Sequence, residues 1–590
     1  MSPGSGSTKG GSRRNTFLVV LVVTSAIVGC QPAREPATGD GFGQPGRSAP
    51  GAQGGEIRTL TMAVRYETVA LAPKAVTGQG VNATLRVFNA GLFYIDGEGL
   101  THPYLADSLP RLNSDTWRVF PDGRMEVTYQ MREGLTWHDG QPLTAGDFVF
   151  AHRAYTAKGL GLFTPRPQSF MESVEARDAR TFMIRWARPY ADAGNLRPSD
   201  FEPLPRHVLG EPLSQFEEDP VAGQDAFRNL PYWTQEYVGA GPFKLERWEP
   251  GSELEGVAFN GHALGRPKID RVIVRLMSDE NSTLSNLLSE NVDLATDLTL
   301  RYEHGKVLAS SWDTSKQGVV LLYRGTFNYT MPQFRSEFQK TPALFDVRVR
   351  RALAHAIDRR SVNEGLFDGK GFMTETNIPD NARYYPELER SIARYEYDHR
   401  RTEQLMAEAG FVKDPSGLFS SASGERFRPD FWSIQSPLFE RQQAIMAETW
   451  SRAGIDTNAR VMGAAQLRDF ETAVTFSGLS ARLLGGGEQS LPMFTSAQIG
   501  SPANRWLGSN RNGWNSPEFD QMFGRYSATL DQTERERQVI DMMGLMSEQV
   551  PIFPLYFNID VLGYLAKVHG PAVGDIDRLS LWNIHEWELR

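Results

Sequence analysis

Cysteine is nearly absent from this chain: its 590 residues include only one, Cys30. An intrachain disulfide is therefore impossible, and a zinc site built from several thiolates is excluded as well. The ten histidines never recur at the spacing of a His-Glu-x-x-His zinc site. No Gly-x-Ser-x-Gly elbow and no phosphate-binding P-loop is present either. The sequence therefore predicts no metal, no cofactor and no catalytic residue.

An excess of positive charge is also lacking, since the net charge is −9 at pH 7. Nucleic acid is therefore not expected as a partner, because phosphate binding needs a basic surface. Hydrophobic residues make up 40% of the chain and charged residues 23%, which is typical of a soluble globular protein. Carboxylates are abundant, so an acid pair of the kind that glycosidases use stays open, and an extracytoplasmic hydrolase is an alternative function.

One short apolar segment lies near the start of the chain. Arg13 and Arg14 precede residues 17–28, which carry no charge, and Ile27-Val28-Gly29-Cys30 follows as a lipobox. This run is too short to span a bilayer but suits a signal peptide. We expect residues 1–30 to be a lipoprotein signal peptide, with lipid on Cys30 as the anchor. The alternative is an ordinary signal peptide with an incidental thiol.

Residues 31–55 consist mainly of Gly, Pro, Ala, Gln and Ser, a composition that cannot bury a core. They are predicted to form a flexible linker that holds the folded part away from a membrane surface. The sequence thus predicts an extracytoplasmic protein that is lipid-anchored to the cell membrane.

Strands and helices alternate in the rest of the chain. Alternation at Ile57, Leu60, Met62 and Val64 predicts a first strand. Period-two alternation on both sides of Pro121-Asp122-Gly123 predicts a hairpin. Three helix starts are predicted from capping aspartates, namely Asp346, Asp398 and Asp531.

The segment Trp137-His138-Asp139-Gly140 contains the residues that most resemble a catalytic pair. His138 and Asp139 are adjacent, however, and adjacent side chains on a strand point to opposite faces. We therefore predict a structural role, in which Asp139-Gly140 forms a tight turn and Asp147 helps to begin the next helix.

Residues 132–148, which read REGLTWHDGQPLTAGDF, closely resemble the signature of solute-binding protein family 5. This family comprises the dipeptide, oligopeptide and nickel receptors of ABC importers. Further segments resemble the family's motifs in the family's order, and they lie at residues 205–209, 239–251, 346–359 and 512–520. Together these segments place most of residues 56–570 within the resemblance.

The resemblance implies an α/β fold of the two-lobed periplasmic-binding-protein type (type II, cluster C-like) with an extra inserted domain. Lobe 1 would consist of domain I (residues 56–95, 205–317 and 561–590) and the inserted domain II (residues 96–204). Domain III (residues 318–560) would form lobe 2, and the chain crossings near residues 318 and 560 would be the hinge.

The implied function is capture of a peptide or peptide-like solute by hinge closure, followed by delivery to a membrane permease with a separate ATPase subunit. A monomer is expected. An oligosaccharide receptor of an ABC importer is the alternative within the same class.

Six residues are the candidates for binding the ligand. In peptide-binding members of the family, the loop after the first strand lines the cleft, which implicates Tyr66 and Glu67. Peptide binders also carry a Gly-Trp-x-x-Asp motif whose carboxylate pairs with the peptide's ammonium group. The corresponding residues here are 478–482, so the cation of Arg482 stands at the position of that acid.

A guanidinium at this position would reverse the charge preference of the cleft. We therefore predict that a free peptide N-terminus is not held in the usual way. The alternative is that Glu488, a few residues further on, supplies the acid. Trp432 and Phe476 are candidate aromatic walls of the cleft, and core packing is the alternative for both.

Overall fold

The computed structural model describes residues 57–75, 79–163, 166–296, 298–573 and 580–590. The predicted signal peptide (residues 1–30), its Cys30 and the predicted linker (residues 31–55) lie outside the described residues. The fold presented below is that of the unit from Ile57 to Arg590. None of the helices in these ranges combines the length and the apolar character that a membrane crossing needs.

Strands occur along the whole of this unit. They are β1 Thr59–Val64, β2 Phe93–Ile95, β3 Thr101–Pro103, β4 Trp117–Val119, β5 Met125–Gln130, β6 Met171–Ala176, β7 Thr181–Trp186, β8 Phe243–Glu249, β9 Glu253–Ala258, β10 Arg271–Leu276, β11 Leu294–Ala295, β12 Gly318–Pro332, β13 Phe372–Met373, β14 Phe411–Lys413, β15 Phe419–Ser421, β16 Asp430–Ile434, β17 Asn458–Met462, β18 Leu479–Leu484, β19 Phe553–Leu565, β20 Val568–His569 and β21 Glu588–Leu589.

Helices are interspersed with these strands. They are α1 Gln79–Phe88, α2 Ala145–Thr156, α3 Arg206–Glu218, α4 Pro220–Arg228, α5 Glu280–Leu288, α6 Tyr302–Ser315, α7 Val347–His355, α8 Arg359–Phe367, α9 Tyr385–Ser391, α10 His399–Glu408, α11 Pro437–Ala453, α12 Ala464–Arg468, α13 Phe470–Val474, α14 Pro517–Ala528 and α15 Gln532–Gln549. Two short 3-10 helices, Ala191–Asn195 and Glu488–Phe494, matter for the site described below.

One large sheet runs through the molecule in the order β17-β16-β18-β12-β19-β11-β1-β10-β9-β8, with β13 paired to β19. Its two longest strands are β12 with 15 residues and β19 with 13 residues. They pair antiparallel from Gly318↔Leu565 to Thr330↔Phe553. At one end of this pair, β19 pairs with β11, and at the other end β12 pairs with β18. The same two strands therefore extend from one half of the molecule into the other.

The apolar cores lie on either side of this strand pair. One core draws on residues from Leu60 to Leu294 together with the C-terminal segment up to Trp587. Two others draw on residues from Phe327 to Ile559, joined by Tyr302 from α6. Separate cores on one continuous strand pair are the physical basis of a two-lobed α/β fold, because each half buries its own apolar surface. The predicted fold class is confirmed by this architecture and by the structural similarities reported below.

The first lobe contains a separate four-stranded antiparallel sheet in the order β4-β5-β7-β6. It includes the predicted hairpin, in which Trp117 pairs with Val127 and Val119 with Met125. Gly123 in the turn has a φ of +86°, which only glycine adopts without strain. The predicted strand and hairpin are therefore confirmed.

The predicted helix starts are also confirmed. The Asp346 carboxylate accepts from the Arg348 amide at 2.8 Å, at the start of α7. Asp398 does the same for α10, where it accepts from the Arg400 amide at 2.8 Å. Asp531 accepts from the Glu534 amide at 2.8 Å at the start of α15. Each aspartate satisfies an amide that would otherwise lack a partner in the first helical turn.

His138 joins two of the segments that the sequence singled out. Its buried imidazole Nδ1 accepts from the Gly239 amide at 3.2 Å, and its Nε2 lies 3.1 Å from the Gly241 carbonyl oxygen. Burial lowers the pKa of His138 to about 4. Asp139 pairs with His207 instead, at 2.6 Å. Gly140 has a φ of +86° in the turn, and the Asp147 carboxylate accepts from the Thr144 amide at 2.8 Å at the start of α2, so the predicted turn and helix start are confirmed.

Candidate functional site

The two lobes contact each other beside the shared strands. Tyr302 on α6 packs into the core of lobe 2 and donates its hydroxyl hydrogen to Asp368 at 3.3 Å. Lys306, one turn further along α6, pairs with the same carboxylate at 2.5 Å. These contacts are partly exposed, so each ion pair contributes little to stability. They show that side chains of α6, in addition to the β12–β19 strand pair, join the two lobes.

A second approach of the lobes involves Asp192, on the 3-10 helix Ala191–Asn195 of the first lobe. The Asp192 side chain is exposed to solvent. Its pKa is raised, and the largest cause is desolvation by the surrounding protein; among the nearby charges, Arg535 lowers this pKa and Glu488 raises it. Because Arg535 and Glu488 belong to lobe 2, the carboxylate of Asp192 lies close enough to that lobe for their charges to act on it.

Glu488 is held by a network within lobe 2. Its Oε1 accepts from the Tyr384 hydroxyl at 3.0 Å, and its Oε2 accepts from the Tyr526 hydroxyl at 2.6 Å. Arg535 donates to the Tyr526 hydroxyl at 2.6 Å and lies 4.0 Å from the Glu488 carboxylate. Both carboxylate oxygens of Glu488 therefore already have phenol partners, and the Arg535 cation offsets its charge.

The predicted lobe 1 residues lie directly after β1. Tyr66 is 44% exposed and stacks against the Arg65 guanidinium, whose carbon lies 5.6 Å from the ring centroid. Glu67 is exposed and accepts from the Gly251 amide at 2.5 Å, in the turn between β8 and β9. Among the described residues, no hydrogen bond or ion pair joins either side chain to lobe 2.

Arg65 itself belongs to a charged group at the base of this loop. Its Nη1 lies 2.5 Å from Glu280, and the Arg301 Nε lies 2.6 Å from the same carboxylate oxygen. Burial alone would raise the pKa of Glu280, but hydrogen bonds from both arginines lower it to about 2. The loop that carries Tyr66 is thus tied to α5 and to the start of α6.

Three of the predicted lobe 2 residues lie together. Arg482 on β18 is 1% exposed, and its guanidinium carbon lies 5.7 Å from the centroid of the Phe476 ring. Phe476 is 3% exposed, and Trp432 is half-buried against the same core. The Trp432 indole donates to the Ser477 hydroxyl at 3.4 Å.

The structure thus brings Trp432, Phe476 and Arg482 together, while Glu488 lies in its own network and Tyr66 and Glu67 lie in the other lobe. The role of all six in ligand binding remains a prediction. Asp192, Tyr384, Tyr526 and Arg535 were not anticipated from the sequence. No motif marks them, and they meet only through tertiary packing.

Metal binding finds no support in the part of the chain that the structure describes. There, no group of three or more His, Cys, Asp or Glu side chains is placed so that it could hold a metal ion.

Comparison with known proteins gives a consistent result. The family model described as "Bacterial extracellular solute-binding proteins, family 5 Middle" matches residues 107–501. The oligopeptide-binding protein AppA of Bacillus subtilis is 22% identical over 480 residues, which cover 79% of this chain and 81% of that protein. The heme-binding protein A of Haemophilus influenzae is 23% identical over 522 residues, which cover 84% and 86% of the two chains.

Among solved structures, NikZ from Campylobacter jejuni in complex with Ni(L-His) superimposes with a TM-score of 0.69 at 21% sequence identity. The match covers 90% of this chain and 99% of that one. A likeness at this level of identity establishes the fold. It does not identify the ligand, because proteins of one fold bind different ligands through their own side chains.

Proposed function

Because this chain belongs to the bacterial extracellular solute-binding proteins of family 5, we propose that it is the receptor of an ABC importer. It captures a peptide or peptide-like solute between its two lobes and delivers this solute to the permease. The observation that carries the proposal is the pair of continuous strands, β12 and β19, that joins two separately packed lobes. A strand pair of this kind can bend while each core stays intact, which is what hinge closure requires.

In the proposed arrangement, domain I (residues 56–95, 205–317 and 561–590) and the inserted domain II (residues 96–204) form lobe 1. Domain III (residues 318–560) forms lobe 2. Only contacts that the ligand gains on closure can shift the open–closed equilibrium. The ligand is therefore expected to touch residues of both lobes, Tyr66 and Glu67 on one side and Trp432, Phe476, Arg482 and Glu488 on the other.

A peptide-like ligand is favoured by two considerations. The relative AppA is named for oligopeptide binding. The proposed site also offers aromatic and charged groups, as recognition of a peptide-like compound requires, through the exposed Tyr66 and Glu67 and the half-buried Trp432.

The first prediction concerns ligand binding. A screen of short peptides, oligosaccharides and metal chelates should find a compound that stabilises the chain without being altered. At a ligand concentration of about 100 times Kd, the free energy of unfolding should rise by about 2.7 kcal/mol. Thermal unfolding measures this increase, and mass spectrometry of the recovered ligand measures turnover. A chemically converted ligand would contradict the proposal and favour a hydrolase. A response confined to sugars would assign an oligosaccharide receptor.

Closure can be measured in the same samples by energy transfer between two dyes. Val221 on α4 is 90% exposed and Val412 on β14 is 61% exposed, so cysteines at these two positions label opposite lobes. Ligand should shorten the distance between these dyes. A control pair at Val221 and Leu100, both exposed and both in lobe 1, should show no change. An unchanged distance in the first pair would contradict hinge closure.

We also propose that Cys30 carries a lipid anchor and that residues 31–55 act as its linker. The lipobox before Cys30 and the uncharged segment at residues 17–28 support this proposal. The mass of the protein extracted from membranes should correspond to a chain that begins at Cys30 and carries acyl groups. A chain that begins elsewhere, or one without acyl groups, would contradict the anchor.

A further inference from the structure

The two strands that join the lobes pass from one core to the other within a few residues. On β12, Tyr323 packs in the core of lobe 1, and Phe327 packs in a core of lobe 2. On β19, Val561 packs among residues of lobe 1, whereas Ile559 packs in lobe 2. Any rotation of one core relative to the other must therefore be absorbed by the short stretches between these residues.

The regular pairing of β12 with β19 is interrupted at the same place. The register is unbroken up to Arg324↔Ile559 and resumes after a shift at Phe327↔Phe557. Gly325 and Thr326 of β12 therefore lie opposite the single residue Asn558 of β19, which is a β-bulge. A bulge leaves a residue without its ladder partner and bends the strand, so the backbone is held less firmly here than on either side.

Side-chain hydrogen bonds stabilise the bulge where ladder bonds are missing. The Asn558 amide nitrogen donates to the Thr326 hydroxyl oxygen at 2.6 Å, and the Asn328 amide nitrogen donates to the Thr326 carbonyl at 3.1 Å. Thr326 and Asn328 are both buried, so little water competes for these bonds. The amide oxygens of Asn328 and Asn558 are buried without a partner among the described residues, which is unfavourable in this arrangement.

The carboxylate of Asp560 packs directly against the bulge. Asp560 is buried, and it is the cross-strand partner of Tyr323, just before the bulge. A Cβ on Gly325 would overlap both oxygens of this carboxylate, so only glycine fits at this position. The contact between Gly325 and Asp560 therefore limits how far the strand can bend at the bulge.

The lobes also meet away from the shared strands. Leu530, between α14 and α15 of lobe 2, is half-buried and packs against the core of lobe 1. The structure thus describes a closed arrangement of the lobes, and the contacts at the bulge belong to this arrangement.

From these observations we propose that the bulge at Gly325-Thr326 is the pivot of the hinge. The hydrogen bond from Asn558 to Thr326 and the contact of Asp560 with Gly325 stabilise the closed arrangement, and opening disrupts both. This inference rests on the proposed receptor function and adds to it the residues that set the balance between the closed and open forms. Changes at these residues alter that balance without altering any residue that touches the ligand.

The test measures energy transfer in single molecules of the full chain without ligand, with dyes at Val221 and Val412. Thr326→Val keeps the shape of the side chain and removes the hydroxyl that accepts from Asn558. The ratio of closed to open molecules should fall roughly tenfold, because the Asn558 donor loses its acceptor only in the closed arrangement. The population should therefore move towards longer distances between the dyes.

Thr330→Val is the matched control. Thr330 is on the same strand and is also buried, but it lies beyond the bulge, where β12 pairs with Ala481 of β18 inside lobe 2. The same substitution at this position should leave the distances between the dyes unchanged.

Gly325→Ala is a second variant with a larger expected effect. Its methyl group would overlap the Asp560 carboxylate in the closed arrangement, so nearly all molecules should show the longer distance. Adding Asp560→Ala removes the overlap and should move the distances back towards those of the wild-type chain. Thr326→Val keeps the proposal testable if Gly325→Ala fails to fold, because it introduces no overlap.

The possible outcomes separate the pivot from the receptor function. Wild-type distances in both Thr326→Val and Gly325→Ala would overturn the pivot, and so would an equal shift in Thr330→Val. The receptor function is tested by the screen of peptides, oligosaccharides and metal chelates, which uses the wild-type chain. A stabilising solute together with unshifted hinge variants would therefore overturn the pivot alone. Shifted variants in a chain that no solute stabilises would support the pivot and overturn the receptor function.

Discussion

Replacing Gly478 by alanine should destabilise the protein by more than about 3 kcal/mol, which is near the upper end of what single substitutions cost. Gly478 has a φ of +73°, and the left-handed backbone costs about 1–2 kcal/mol for any residue that has a Cβ. A Cβ at this position would also lie 2.3 Å from the Asp430 carbonyl oxygen. Because this neighbour is backbone within the sheet, it cannot move aside as a flexible side chain could.

Gly417→Ala is the matched control for this prediction. Gly417 has a similar φ of +83°, but nothing lies within 4 Å of the position that its Cβ would take. It should therefore lose only the backbone contribution of about 1–2 kcal/mol. Unfolding in urea measures both variants. Equal losses in the two variants would show that the contact with Asp430 carries no cost.

The effect of Gly478→Ala should extend to Arg482, one of the candidate ligand-binding residues. The Gly478 carbonyl accepts from the Gln333 amide at 2.9 Å. The Gln333 side chain in turn donates to the carbonyls of Val474 and Phe476, each at 2.9 Å. Gln333 thus holds the segment that leads into β18, and a shift of this segment would move Arg482.

Local features of this protein could be predicted from its sequence with good success. The hairpin around Gly123 and the helix starts at Asp346, Asp398 and Asp531 depend on residues within a few positions of each other. For that reason, period-two alternation and capping chemistry were enough to find them. The two-lobed fold followed from a different kind of information, namely several ordered segments that resemble one family.

The environment of the candidate site residues could not be predicted in this way. The register of residues 478–482 indicates that Arg482 stands at the position of an acid, but not that it is 1% exposed and forms no ion pair with a carboxylate of the described residues. The sequence offers Glu488 as the alternative source of that acid, but it does not indicate its partners Tyr384 and Tyr526, which come from distant parts of the chain. Contacts of this kind depend on how helices and loops pack, and neither periodicity nor a short motif contains that information.

The stability of the protein should fall steeply as the pH drops from about 6.5 to about 4. Burial lowers the pKa of His138, His262 and His585 to about 4 each, compared with an ordinary value of 6.5. Between these two values the unfolded chain binds protons that the folded chain excludes. The free energy of unfolding therefore decreases as the pH falls through this range. Each histidine should contribute about 3 kcal/mol, because one pKa unit corresponds to about 1.4 kcal/mol.

Glu202 acts in the opposite direction over a different range. It is 4% exposed, and burial raises its pKa from 4.5 to about 8, so the folded chain holds a proton that the unfolded chain releases. Its contribution to stability is complete below pH 4.5 and is lost as the pH rises through 8. As the pH falls below 6.5, the three histidines lower the free energy of unfolding by more than Glu202 raises it. Above pH 6.5 Glu202 acts alone, and the free energy of unfolding falls as the pH rises. Between pH 4 and 8, stability should therefore be greatest near pH 6.5.

Urea unfolding at a series of pH values tests this profile, and His138→Gln provides the control. Glutamine cannot titrate in this range, but it has one acceptor and one donor, as His138 needs for the Gly239 amide and the Gly241 carbonyl. The variant should fold at pH 7 and lose about half of the slope between pH 6.5 and 4.5, because Glu202 opposes the three histidines and the net difference falls from about two protons to about one. An unchanged slope would mean that His138 takes up its proton in the folded chain as readily as in the unfolded one. The acid sensitivity would then have to come from groups outside these buried imidazoles.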